Sequence, residues 1–115
     1  MIQAQVVLDS AGLLRSCRVS GHAGANKRGG DIVCAAVSVL TRTIVRVLSG
    51  RKDAAVRGRI PEQGDFQIET EYSPEGREFL AGAGAFLMEG LLSVSREFPD
   101  YCKLTIESIS IESIS

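Results

Sequence analysis

The sequence predicts an α+β fold in the order ββαββαβ, with a mostly antiparallel sheet packed against two helices. Three observations predict it. Short stretches with period-two alternation come in pairs. Two longer stretches carry apolar residues at helical spacing. The connections inside each strand pair are only a few residues long, which implies hairpins. Helices gathered on one face of such a sheet are the simplest packing.

Each element has its own signal. Ile2, Ala4, Val6 and Leu8 alternate with Gln3, Gln5, Val7 and Asp9, so the first strand has one buried face. Asp9-Ser10-Ala11-Gly12 reads as a turn. The second strand spans Leu13 to Ser20, with Leu13, Cys17 and Val19 on one face and Ser16 and Arg18 on the other. Residues 21 to 30 form a glycine-rich loop. A helix follows from Asp31 to Ser49, with Val33, Val37, Leu40, Ile44 and Leu48 in one stripe and Gly50 as its C-cap. Asp31 is expected as N-cap or first-turn acid.

The second strand pair covers Val56 to Ile60 and Asp65 to Tyr72, with Pro61 to Gly64 turning between them. In the latter strand Phe66, Ile68, Thr70 and Tyr72 share a face. Ser73-Pro74-Glu75 opens a helix that runs to Phe98, with Phe79, Ala83, Phe86 and Gly90 in one stripe. Gly82, Gly84 and Gly90 each weaken it by about 1 kcal/mol relative to alanine, so close approach to a sheet or helix is the expected compensation. Pro99 stops it. The last strand runs from Tyr101 to Ile109. The string IESIS occurs twice, at 106–110 and 111–115. A five-residue period cannot hold its isoleucines on one strand face, so the second copy is expected as a tail or bulged extension.

The chain has 115 residues, 44% apolar and 23% charged, with net charge −1. That suits a single domain over residues 1–115, without a basic footprint for nucleic acid. No signal peptide and no membrane span are expected. The three cysteines are Cys17, Cys34 and Cys102, and the only histidine is His22. No CxxC pair is present, so neither a disulfide framework nor a metal or cofactor is expected. Free thiols favour the cytoplasm.

The chemistry concentrates in GHAGANKRGGDIVCAAVS, residues 21–38. Cys34 falls in the first turn of the predicted helix, where free amides and the dipole favour a thiolate. Ser38 and Thr41 follow it at four and seven residues, on a more polar face than the apolar stripe. His22 ends a strand where the loop begins. An imidazole directed at that thiol can take its proton and later give one to a leaving amine. The bland readings are a small buried cysteine and a surface turn histidine. Asp31 either holds the imidazole or caps the helix. Ser38 either bonds near the thiolate or back-bonds to its helix. Gly24, Gly29 and Gly30 allow the loop to hinge, with Asn26, Lys27 and Arg28 at its middle. The loop fails the Walker A pattern, although an anion site at the helix start is an alternative.

GHAG, followed twelve residues after the histidine by a cysteine within DIVCAAVS, resembles the bacterial ribosomal-processing cysteine protease family, Prp. The resemblance extends over the whole chain. It implies a small homodimeric α+β enzyme of the bacterial cytosol, removing a short N-terminal extension from a large-subunit ribosomal protein (L twenty-seven) after an aromatic residue. His22 would be the general base, Cys34 the nucleophile, and Asp31 and Ser38 supporting residues. The loop bearing Gly24, Asn26, Lys27, Arg28, Gly29 and Gly30 would gate the substrate peptide. An edge strand or the glycine face of the second helix is the expected dimer interface. The competing reading is a ribosome-associated binding module whose loop and helix start hold an anion or RNA phosphate.

Overall fold

A computed structural model describes residues 1–21, 28–59 and 66–109, with the backbone alone described at 28–31 and 54–59. Strands β1 (Ile2–Leu8) and β2 (Leu14–Ser20) are followed by α1 (Arg28–Ser49). Strands β3 (Ala54–Arg59) and β4 (Phe66–Tyr72) come next, then a single 3₁₀ turn (Pro74–Gly76), α2 (Arg77–Glu97) and β5 (Cys102–Ser108). The order is the predicted ββαββαβ. The turn expected at Pro61–Gly64 and the second IESIS copy lie outside the described residues.

The five strands form one sheet in the order β3-β4-β2-β1-β5. Every pairing is antiparallel except β1 with β5, where Ile2 pairs with Cys102 and Leu8 with Ser108. Ile2, Ala4 and Val6 are buried on the helix-facing side, as their alternation predicts.

The second strand departs from its predicted register. Leu14, rather than Leu13, shares the core cluster with Cys17 and Val19. Val7 pairs with Ser16 but Leu8 pairs with Leu14, so Arg15 is an extra residue in a β-bulge. The bulge resets the period-two alternation. The ladder to β4 also stops at Ser16, and the Leu14 carbonyl accepts a hydrogen bond from the Thr70 hydroxyl instead. The preceding turn is held by buried Asp9. Its Oδ1 accepts the amides of Ala11 (2.9 Å) and Leu13 (3.0 Å), and Gly12 takes φ +82°, a conformation that suits glycine.

Helix α1 buries Val33, Val37, Ile44 and Leu48 against the sheet, with Leu40 half-buried beside them, which is the predicted stripe. Each fully buried member contributes about 1.5–3 kcal/mol relative to exposure. Gly50 is not left-handed, so the expected C-cap is corrected. The Arg51 amide closes the end by bonding the Leu48 carbonyl at 3.1 Å.

The buried stripe of α2 is Leu80, Gly84, Leu87, Leu91 and Val94, one residue round from the sequence-read stripe. Phe79, Ala83 and Gly90 are half-buried on the flank turned to α1, and Phe86 is exposed. Two of the three helical glycines mark close approaches. A Cβ at Gly84 would stand 3.0 Å from Leu14 Cβ, and one at Gly90 would stand 2.6 Å from Leu40 Cδ2, whereas Gly82 faces open space. The contacts of Gly90 with Leu40 and of Phe79 with Arg51 (4.1 Å from ring centre to guanidinium carbon) make α1 and α2 antiparallel. Ser73 does not cap α2. Its Oγ donates to the Asp53 carbonyl at 3.2 Å, and Gly76 takes the N-cap position.

Both helices are long and apolar enough, by length and composition, to pass for membrane spans, which the sequence reading did not expect. Each lies along the sheet through one stripe and carries further apolar residues on its outer side.

Candidate active site

The site is built outward from Cys34. Helix α1 begins at Arg28 rather than Asp31, so Arg28, Gly29 and Gly30 belong to the helix and not to the loop. This corrects three positions of the expected gating segment. It also makes Asp31 the fourth helical residue, inside the first turn rather than at the cap. Cys34 becomes the seventh, in the second turn. Only the first four amides of a helix are free, so the amide of Cys34 is spent inside α1.

Cys34 is half-buried, its side chain resting against the core cluster without being sealed in it. Neighbouring Val33 is fully buried, so Cys34 lies at the edge of the core-facing stripe. Helical side chains lean toward the N-terminus and cover the turn before their own Cα. The side chain of Cys34 therefore leans back over the first turn, where the free amides of residues 28–30 are. One turn further on, Ser38 is exposed, and Thr41 is buried with its hydroxyl donating to the carbonyls of Val37 (2.9 Å) and Ser38 (3.2 Å). That back-bonding leaves the Thr41 hydroxyl occupied within its own helix.

The other two thiols are set apart by burial. Cys17 and Cys102 lie in the core cluster. Loss of solvation pushes the Cys17 thiol up to about 12 and raises that of Cys102. Both stay protonated at neutral pH. Among the described residues no group of three or more His, Cys, Asp or Glu is placed to hold a metal.

His22, Gly24, Asn26 and Lys27 lie outside the described residues. What the structure does give is the point from which His22 departs. Gly21 follows β2 directly with φ +90°, and a Cβ there would run into the carbonyl oxygen of Met1. Only glycine fits both conditions. Sequence reasoning gave Gly21 no role, although its place beside the histidine in GHAG was the available signal.

The model of the family described as cysteine protease Prp matches residues 1–103. The chain belongs to this family. Membership of the Prp family supports cysteine-protease activity. Solved structures agree in fold. SMU.848 from Streptococcus mutans is 28% identical, with TM-score 0.78 over 94% of this chain and 95% of that one. The ribosomal processing protease Prp from S. aureus, in complex with a covalently linked product peptide, is 19% identical, with TM-score 0.79 over 93% and 100%. The same S. aureus protein in complex with a substrate peptide is 19% identical, with TM-score 0.78 over 93% of this chain and 100% of that one. No curated relative matches the chain by sequence.

Proposed function

We propose that the chain is a single-domain cytoplasmic cysteine endopeptidase that removes the N-terminal extension of the ribosomal protein L twenty-seven, acting as a homodimer without cofactor or metal. The observation that carries this reading is the family match across 1–103, within which Cys34 alone of the three thiols is not buried.

Cys34 is the nucleophile and His22 the general base. His22 takes the thiol proton as sulfur attacks the scissile carbonyl carbon. The tetrahedral oxyanion is met by free first-turn amides, among them that of Gly30. His22 then protonates the leaving amine, and the C–N bond breaks to leave a thioester. Water, deprotonated by His22, hydrolyses the thioester and regenerates the thiol. Asp31 and Ser38 support this pair, and residues from Gly24 to Gly30 gate the peptide. The S. aureus protein bound to a substrate peptide supports a peptide as the ligand class. The anion-binding alternative gains nothing from either comparison.

The test is cleavage of a peptide bearing the extension. Cys34→Ala is expected to abolish it and His22→Ala to reduce it by at least about 10²-fold, as loss of a general base does, with both variants folded. Cleavage by Cys34→Ala would overturn the mechanism.

A further inference from the structure

Helices α1 and α2 cover one face of the sheet, and the side chains on the other face are exposed or half-buried among the described residues. At the end of the strands where His22 departs, that open face is rich in hydrogen-bond donors. The register sets Lys103, Gln3 and Ser20 in one row across β5, β1 and β2, and Thr105, Gln5 and Arg18 in the next. Five of these six, all but Lys103, line an open pocket of about 290 Å³. Lys103 pairs with Gln3 at its rim. The pocket is separate from the surroundings of Cys34, which lie on the helix-covered side of the sheet.

Charge and spacing say what this block can hold. No carboxylate lines the pocket. The carboxylates of the open face, Glu69, Glu71 and Glu107, stand in rows toward the other end of the strands. Glu107 meets the block only through Gln5, whose Nε2 donates to its Oε1 at 3.1 Å. Arg18 and Lys103 are exposed and enter no ion pair with any described residue. An anion is the partner these two cations lack. They stand two strands and two residues apart, about 12 Å between backbone positions, so together they suit an anionic strand better than one small anion. Neither row carries an aromatic side chain, so nothing there stacks a base, and the contact reads phosphate rather than sequence.

We infer that this end of the open sheet face docks the phosphodiester backbone of single-stranded RNA. The choice of RNA over other polyanions rests on the reading above, because a ribosomal protein is met in company with RNA. The net charge of −1 leaves no general basic footprint, so the contact is local. Arg18 and Lys103 meet phosphates, while Gln3, Ser20 and Thr105 donate to phosphate or sugar oxygens. Ser20 precedes His22 by two residues, which span at most about 7 Å. RNA held at this end therefore brings the protein it carries to the end of the molecule from which the general base departs.

Fluorescence anisotropy with a labelled oligouridylate and a labelled mixed-sequence RNA, over a salt series, tests this. The wild-type chain is expected to bind both alike, with log K falling as log salt rises. Each phosphate neutralised on a single strand adds about 0.7 to that slope, so Arg18→Gln and Lys103→Gln should each flatten it by about 0.7. The double reversal of Arg18→Glu with Lys103→Glu should weaken binding at low salt at least about 10-fold. Both residues are exposed, so the core is untouched, and unchanged thermal melts confirm the fold. Absence of RNA binding, or a salt slope indifferent to both substitutions, overturns the inference. So does a polyglutamate peptide that binds in preference to RNA. Cleavage of the extension peptide, which needs neither Arg18 nor Lys103, reports separately on the protease reading.

Discussion

Gly76 packs its α-carbon against the carbonyl of Asp53, leaving no room for a β-carbon. The same carbonyl accepts the amide (3.0 Å) and the hydroxyl (3.2 Å) of Ser73, so it is fixed from the other side. Backbone cannot yield as a flexible side chain can. Gly76→Ala is therefore expected to destabilise by about 3 kcal/mol, the upper end of overpacking effects, and to lower Tm by roughly 10 °C. Gly12→Ala is the control. It has φ +82° but open space, so only the left-handed penalty of about 1 kcal/mol applies. Thermal melts that rank these two variants the other way would refute the account.

Asp9 fixes the β1–β2 turn by accepting the part-buried amide of Ala11 and the buried amide of Leu13 through one oxygen, while the Tyr72 hydroxyl donates to the other at 3.4 Å. Asp9→Ala leaves those amides without a partner inside the protein and is expected to destabilise by about 2–3 kcal/mol. Asp9→Asn keeps an acceptor at Oδ1 and should lose less than half of that. Tyr72→Phe removes one long bond and should change stability by under about 1 kcal/mol. Urea midpoints measured for the three variants check the order.

Cys17 gives the alkaline limb of stability. Its folded pKa of about 12 lies above the ordinary value of 9.0 because burial disfavours the thiolate. Above pH 9 the unfolded chain releases this proton and the folded chain keeps it, so the native state binds more protons. Stability present below about pH 9 is then lost as pH rises toward 12, at up to about 1.4 kcal/mol per pH unit. Cys102, raised in the same direction, adds to the slope. Cys17→Ala should flatten the dependence of the urea midpoint on pH over this range, and an unchanged slope would exclude Cys17 as its source.

Much of this was legible in the sequence because periodicity reports burial directly. The stripe Val33–Val37–Leu40–Ile44–Leu48 and the alternation of β1 and β4 match their observed faces. The errors arise where a local irregularity breaks the period. One extra residue at Arg15 moved Leu14, not Leu13, onto the core face, and nothing in the sequence marks that bulge. On α2 two apolar stripes lie side by side, and the one read from the sequence faces α1 and solvent rather than the sheet. At the site the place of Cys34 near the start of α1 was legible, but the helix start itself was not. Gly29 and Gly30 are poor helix formers, and propensity alone ends a predicted helix after them, whereas α1 extends through both.

The last prediction concerns the thiols. Cys34 is half-buried and Cys17 and Cys102 are buried, so iodoacetamide near pH 7 is expected to modify the native chain with one equivalent, at Cys34. Denatured protein should take three. The rate of that single modification reports the thiolate fraction, since the thiolate is the reacting form. If His22 draws the thiol proton, His22→Ala should slow the labelling of Cys34 near pH 7 with the fold unchanged. Asp31→Asn should slow it less, because a group acting on the imidazole changes the thiol only indirectly. A labelling rate unmoved by His22→Ala would remove the imidazole from the mechanism, even if Cys34 proved to be the only thiol labelled.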